Sequence, residues 1–220
     1  MKLCEAKNQI DRLANIPFKE YLEPSVFQDT MLKLNKGRTG QLLELTIGLN
    51  LSNTTLDFED GELKTNKCDR FGNPLETMFI TQTASIIDEL LSNKNFCRSK
   101  LYTKLQHLLY VPISKDGPQS DWMFLPCVEV DLTNPIYHEL RVQLEKDYDS
   151  ICAQFNLMLQ ASPTAMLHTA SGQFMQIRTK DSKPYRPIYS EVYQRKVSDK
   201  NRAFYFKKEF MKYIVSLHNS

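Results

Sequence analysis

Three side chains close together in the sequence carry the chemistry: Asp57, Glu62 and Lys64, within Asp57-Phe-Glu-Asp-Gly-Glu62-Leu-Lys64-Thr. Read as a strand, Glu62-Leu63-Lys64 turns Glu62 and Lys64 to one face and Leu63 to the other, because side chains alternate along extended backbone. Asp57, just upstream, can meet Glu62 across a small gap. Two carboxylates and a lysine at one point suit Mg²⁺-assisted cleavage of a phosphodiester. The carboxylates hold a hard, oxygen-preferring cation, and the lysine steers water or neutralises developing charge. The same nine residues would also serve as a solvated turn and strand face, so their surroundings must decide.

The elements able to position them alternate in type. The first thirty-odd residues read as helical, with apolar positions at Ile10, Leu13, Met31, Leu32 and Leu34, broken by Pro17 and Pro24. A basic turn, Lys36-Gly-Arg-Thr-Gly40, leads into a helix striped by Leu42, Leu43 and Ile47, with Glu44 beside the stripe. Residues 50–55 read as a polar loop. Strands are expected at Leu75–Thr81, Leu108–Ile113, Trp122–Val130 and Phe174–Arg178. Short helices are expected at Ala84–Leu91 and Leu101–Leu105, the second carrying Lys104. Asn134-Pro135 caps a long helix with apolar residues at 136, 140, 144, 148, 151, 155 and 158. An amphipathic helix near Phe206–Leu217 ends the chain. Strands between helices imply an α/β or α+β domain with a mixed central sheet.

With 220 residues, 41% of them hydrophobic and 25% charged, the composition suits one globular domain. No apolar run approaches a membrane span and the N-terminus lacks a signal-type apolar core, which predicts a cytoplasmic protein away from membranes. Cys4, Cys68, Cys97, Cys127 and Cys152 are odd in number and contain no CxxC pair, so neither a disulfide framework nor a zinc ribbon is expected. The net charge of +2 conceals an asymmetry. Residues 172–213 hold eleven Lys/Arg against four Asp/Glu, a net +7, leaving −5 elsewhere. A basic quarter interleaved with tyrosine and phenylalanine points to a polyanionic partner. A solvated basic edge over a core-facing aromatic stripe is the alternative.

Six blocks in order resemble the MutH family of DNA endonucleases, which includes restriction enzymes cutting at GATC. They are Lys36-Gly-Arg-Thr-Gly-Gln-Leu-Leu-Glu44, Gly61-Glu-Leu-Lys-Thr65, Gly72-Asn-Pro-Leu-Glu-Thr77, Leu105–Ile113, Gln176-Ile-Arg-Thr-Lys180 and Ala203-Phe-Tyr-Phe-Lys-Lys208. The resemblance spans residues 36–210. It implies a restriction-endonuclease-like PD-(D/E)XK core, Mg²⁺ as cofactor and double-stranded DNA as substrate. It makes Asp57, Glu62 and the Leu63 carbonyl the metal ligands, Lys64 the catalytic lysine, Glu44 an accessory acid and Lys104 a supporting lysine. Arg178, Lys180, Tyr205 and Lys207 become the DNA-binding set. It implies one domain, with a helical arm over 1–35, a catalytic core over 36–170 and a basic DNA-reading lobe over 171–220.

Two departures bear on function. Only four residues separate Asp57 from Glu62, fewer than in the family, which leaves Asp60 or Glu59 as alternative first ligands. The Gly/Ser/Lys/Pro-rich lead-in of the repair members is replaced by Leu49–Leu56. The sequence therefore favours a type II restriction enzyme, acting as a homodimer or transient pair, over a methylation-sensing mismatch-repair nickase activated by a partner ATPase. A non-catalytic DNA-binding module is the third reading, opposed by the intact Glu62-Leu-Lys64.

Overall fold

The structure, a computed structural model, describes residues 1–24, 38–49, 56–180 and 183–218. The expected apolar positions 31, 32 and 34, the start of the basic turn at 36–37 and the 50–55 loop lie outside the described residues. The chain divides into two compact units, one of residues 1–76, 107–131 and 214–220, the other of residues 77–106 and 132–213.

In the first unit, helix α1 (Leu3–Leu13) buries Leu3, Ala6 and Ile10, one face at helical spacing. Helix α2 (Arg38–Thr46) begins where the basic turn was expected to continue, so Arg38, Thr39 and Gly40 are its first residues. Strand β1 (Glu62–Cys68) runs parallel to β3 (His107–Ser114), pairing Glu62 with Leu108 and Lys64 with Tyr110. Strands β4 (Met123–Phe124) and β5 (Val128–Asp131) pair antiparallel with β3. Seven of the eight β3 residues are buried, which is why this segment reads as a continuous apolar run. The expected strand Trp122–Val130 is split in two. Pro126 lies between the pieces, and proline has no N–H to give a ladder. The core gathers Leu3, Ile10, Phe18, Leu43, Phe58, Leu63, Leu109, Val111 and Phe124.

In the second unit an antiparallel sheet has the order β2 (Met78–Gln82), β10 (Arg202–Phe206), β7 (Met175–Thr179), β6 (Ala170–Ser171). The short helices are α3 (Ile87–Leu91) and α4 (Lys100–Leu105), the latter capped by Ser99 Oγ accepting from the Tyr102 N–H. Asn134 caps a 3₁₀ turn that continues into α5 (His138–Ala161), whose buried stripe is Leu140, Leu144, Tyr148, Ile151, Phe155 and Leu159. The stripe therefore closes on Leu159 and not 158, and Ile136 is 64% exposed. A separate hairpin joins β8 (Ile188–Ser190) to β9 (Arg195–Ser198).

Helix α6 (Lys208–His218) starts two residues later than expected, because residues 202–206 belong to β10. That strand was not legible in the sequence. Ala203, Phe204 and Phe206 are all buried, so the two-residue alternation of a half-buried strand is missing. Strand β2 likewise begins at Met78 and not Leu75, since Leu75 donates its N–H to the Lys67 carbonyl across a turn (2.9 Å).

Candidate active site and nucleic-acid interface

The loop between Asp57 and Glu62 is short, and its hydrogen bonds show how it closes. The Phe58 N–H donates to the Gly61 carbonyl (2.9 Å) and the Phe58 ring is buried in the core. The Leu63 N–H then donates to Asp57 Oδ2 (2.9 Å), tying the first carboxylate to the strand that carries the second. The Lys64 ammonium lies 2.5 Å from Glu62 Oε1, 3.1 Å from the Leu63 carbonyl and 4.0 Å from Asp57 Oδ2. Three oxygens assigned as metal ligands by resemblance thus converge on one cationic point. Two carboxylates and a carbonyl are the donor chemistry of a hard divalent cation. Among the described residues no group of three His, Cys, Asp or Glu side chains is arranged to hold a metal ion.

Glu44, on α2, shares this field. Burial pushes its carboxyl above the usual carboxylate range; Asp57 and Glu62 push it the same way, against the pull of Lys64. The two alternative first ligands are committed elsewhere. Asp60 Oδ1 accepts the Leu3 N–H (2.7 Å) at the start of α1, and the exposed Glu59 meets the Met1 amino group (2.8 Å). Of the three acids offered as first ligand, Asp57 is the one 4.0 Å from the Lys64 ammonium. Lys104 is half-buried on α4, an element of the second unit.

Two residues unforeseen from the sequence shape the loop. Gly61 runs against β3 so closely that a Cβ would stand 2.6 Å from Leu3 Cδ1 and 2.9 Å from the His107 carbonyl oxygen. His107 lies between two acceptors, the Asp60 carbonyl at 2.9 Å from Nδ1 and Glu129 Oε1 at 3.0 Å from Nε2. Both contacts are satisfied only by the imidazolium, which has a proton on each nitrogen. Burial pulls this histidine's pKa down, but Glu129 and the Asp60 carbonyl outweigh it and raise it.

The second unit carries a cation–aromatic face. The Arg178 guanidinium sits 5.5 Å from the Tyr205 ring centroid and the Lys180 ammonium 4.2 Å from that of Phe79. Phe79 and Tyr205 are register partners on β2 and β10 and meet edge to face at 5.8 Å. Arg178, Lys180 and Tyr205 are therefore brought together, with Phe79 as a fourth member. Phe79 sits in the Met78-Phe-Ile80 run, where no alternation distinguishes an outward ring from core. Lys207 is placed apart: its ammonium donates to the Gly172 carbonyl (3.1 Å), near the opposite end of β7.

Asp147 anchors that end. It is 2% exposed and accepts from the Gln143 side chain and from the N–H groups of Gln173, Phe174 and Met175 at 2.6–2.9 Å. Gly172 leaves room for it, since a Cβ there would stand 2.3 Å from the Asp147 Cγ. An acid on the apolar stripe of α5, between Leu144 and Ile151, was the available signal.

Comparison with known proteins finds relatives over most of the chain. No family model matches the chain. The DNA mismatch repair protein MutH of Shewanella oneidensis is 29% identical over 194 residues, covering 84% of this chain and 81% of that protein. The proteins of the same name from Shigella flexneri and from Escherichia coli K12 are each 26% identical, over 199 and 198 residues, about 85% of this chain and 80% of theirs. Over about 85% of its length the chain is thus similar to proteins named MutH, at 26–29% identity.

Proposed function

We propose that this protein is a Mg²⁺-dependent DNA endonuclease of the MutH type, with Asp57, Glu62 and Lys64 as its centre on a PD-(D/E)XK core. The observation that carries the proposal is the convergence of Asp57, Glu62 and the Leu63 carbonyl on the Lys64 ammonium. Those three oxygens would hold the divalent ion, which when bound would supply positive charge to the scissile phosphate. Lys64 then turns its ammonium from Glu62 towards the attacking water and the phosphate, orienting one and stabilising charge on the other. Glu44, with its raised pKa, takes a proton near the site at neutral pH more readily than an ordinary surface carboxylate. Lys104 supports the phosphate. Arg178 and Lys180, steered by Tyr205 and Phe79, contact base edges, and Lys207 secures the strand on which Arg178 sits.

Between the two catalytic readings, the relatives favour the mismatch-repair nickase over the restriction enzyme that the sequence alone put first. Each of the three compared proteins carries the name of a mismatch repair protein. The nickase reading makes one chain sufficient for one strand and gives the partner ATPase a place, whereas a restriction enzyme needs two copies on the duplex. Purified protein with supercoiled plasmid and Mg²⁺ tests this. Nicked circles at unmethylated GATC, absent with EDTA and reduced on adenine-methylated plasmid, are expected. Linear fragments with uniform ends would return the restriction reading, and an intact plasmid with a partner ATPase also supplied would refute the endonuclease.

A further inference from the structure

The β8–β9 hairpin has two sides of different character. Its inner side serves folding. Ile188, Ser190, Val197 and Ser198 are buried, and Asp88 pins the turn by accepting from Ser190 Oγ (2.6 Å) and from the N–H groups of Glu191 and Val192 (3.3 Å each). Tyr193 donates to Asn156 Oδ1 (3.0 Å), and Arg195 is committed to the Ala165 and Lys196 carbonyls. This ribbon is held rigidly.

Among the described residues, no hydrogen bond of that kind involves the outward side chains Tyr189 and Lys196. Tyr189 and Lys196 are direct cross-strand partners and both are exposed. Tyr185 is 38% exposed, and the Lys200 ammonium sits 5.1 Å from its ring centroid. Residues 183–200 hold five Lys/Arg and two Asp/Glu. Lys183 follows Lys180 by three residues, so the two Cα atoms lie within about 11 Å of each other.

We propose that this outer face is a second, sequence-independent DNA contact, binding duplex phosphates flanking the bases read by Arg178 and Lys180. The proposal rests on the reading of the chain as a DNA-binding protein. Tyrosine hydroxyls and lysines are the side chains that position a protein on phosphates. A lysine already over the Tyr185 ring leaves that ring holding an ammonium in place, not stacking an unpaired base, which favours duplex over single strand.

The test is fluorescence anisotropy in EDTA, across salt, with a GATC duplex of about ten base pairs, one helical turn, and one of about thirty. Lys196→Ala/Lys200→Ala should bind the long duplex on the order of tenfold more weakly, with a log–log salt slope smaller by about two, since each lost phosphate contact removes about 0.9. The short duplex should be bound within about twofold of wild type, and Lys196→Arg/Lys200→Arg should restore the long-duplex affinity. An unchanged slope, or equal losses on both duplexes, overturns the ribbon contact while leaving the DNA-binding reading intact. Wild-type protein binding neither duplex refutes that reading, and the ribbon contact with it.

Discussion

Lys64 Nζ lies 2.5 Å from Glu62 Oε1, two residues apart on the same face of β1, with Glu62 almost entirely buried. The lysine is thus the counter-charge of the carboxylate beside which it is proposed to act. Lys64→Ala is expected to lower the single-turnover cleavage rate by at least about 10²-fold, the scale of one lost transition-state donor, while DNA affinity stays within a few-fold. Removing the ammonium partner of the buried Glu62 should also cost about 3 kcal/mol of stability without metal. A urea melt with and without Mg²⁺ reads this second effect, with Mg²⁺ recovering part of it. Wild-type cleavage by this variant would remove Lys64 from the mechanism.

Gly61→Ala tests the close approach of the loop before β1 to β3. The added carbon meets the Leu3 side chain, which can shift, and the His107 carbonyl, which cannot without moving the sheet. Destabilisation of about 1–3 kcal/mol is expected. Cleavage should fall further than folding does, because the displaced residue adjoins Glu62. Thermal melts and initial rates on the same preparation separate the two losses.

His107 gives stability a pH dependence of defined sign. Its folded-state pKa is raised above the ordinary histidine value of about 6.5. Its contribution is therefore complete below that unfolded-state value and is lost as pH rises through the raised folded value. Wild-type stability should accordingly decline over that interval relative to His107→Gln, in which the decline is absent. Parallel pH profiles for the two proteins would show that another group governs.

Phe79→Ala removes the ring beneath the Lys180 ammonium and the edge partner of Tyr205. Being partly exposed on β2, it should cost little stability. Discrimination between the cognate site and a one-base variant should fall by about 1–3 kcal/mol, the worth of one well-placed base contact. Competition binding with the two duplexes measures it, and unchanged discrimination would confine Phe79 to a packing role.

Asp147→Asn keeps the shape of a buried side chain but replaces an acceptor oxygen with an NH₂ facing backbone donors. An unmet buried donor costs about 1–3 kcal/mol, more where a charged acceptor is lost. The start of β7 should loosen first, so amide exchange at Phe174 and Met175 should accelerate before the rest of the sheet. Uniform exchange would show that Asp147 supports the whole unit and not this loop.

That Glu62 and Lys64 share a strand and meet on it was legible without coordinates. Glu62-Leu-Lys64 alternates, and alternation alone places its two charged groups on one face. The long helix α5 declared itself by spacing, and the basic quarter by its composition. What Asp60 contacts was not legible: its carboxylate accepts the Leu3 N–H at the start of α1, fifty-seven residues away in sequence. The strand β10 and the place of Phe79 were hidden for a related reason. In fully apolar runs such as Met78-Phe-Ile80 and Ala203-Phe-Tyr-Phe206, periodicity carries no sign of which face is outward. Lys207, expected among the DNA-binding residues, has its ammonium on the Gly172 carbonyl, a contact that nothing in the local sequence marks. Short-range pattern determines which groups share a face. Only long-range pairing, here of β2 and β7 with β10 and of β1 with β3, decides which faces meet, because those contacts join residues whose separation leaves no mark in the sequence.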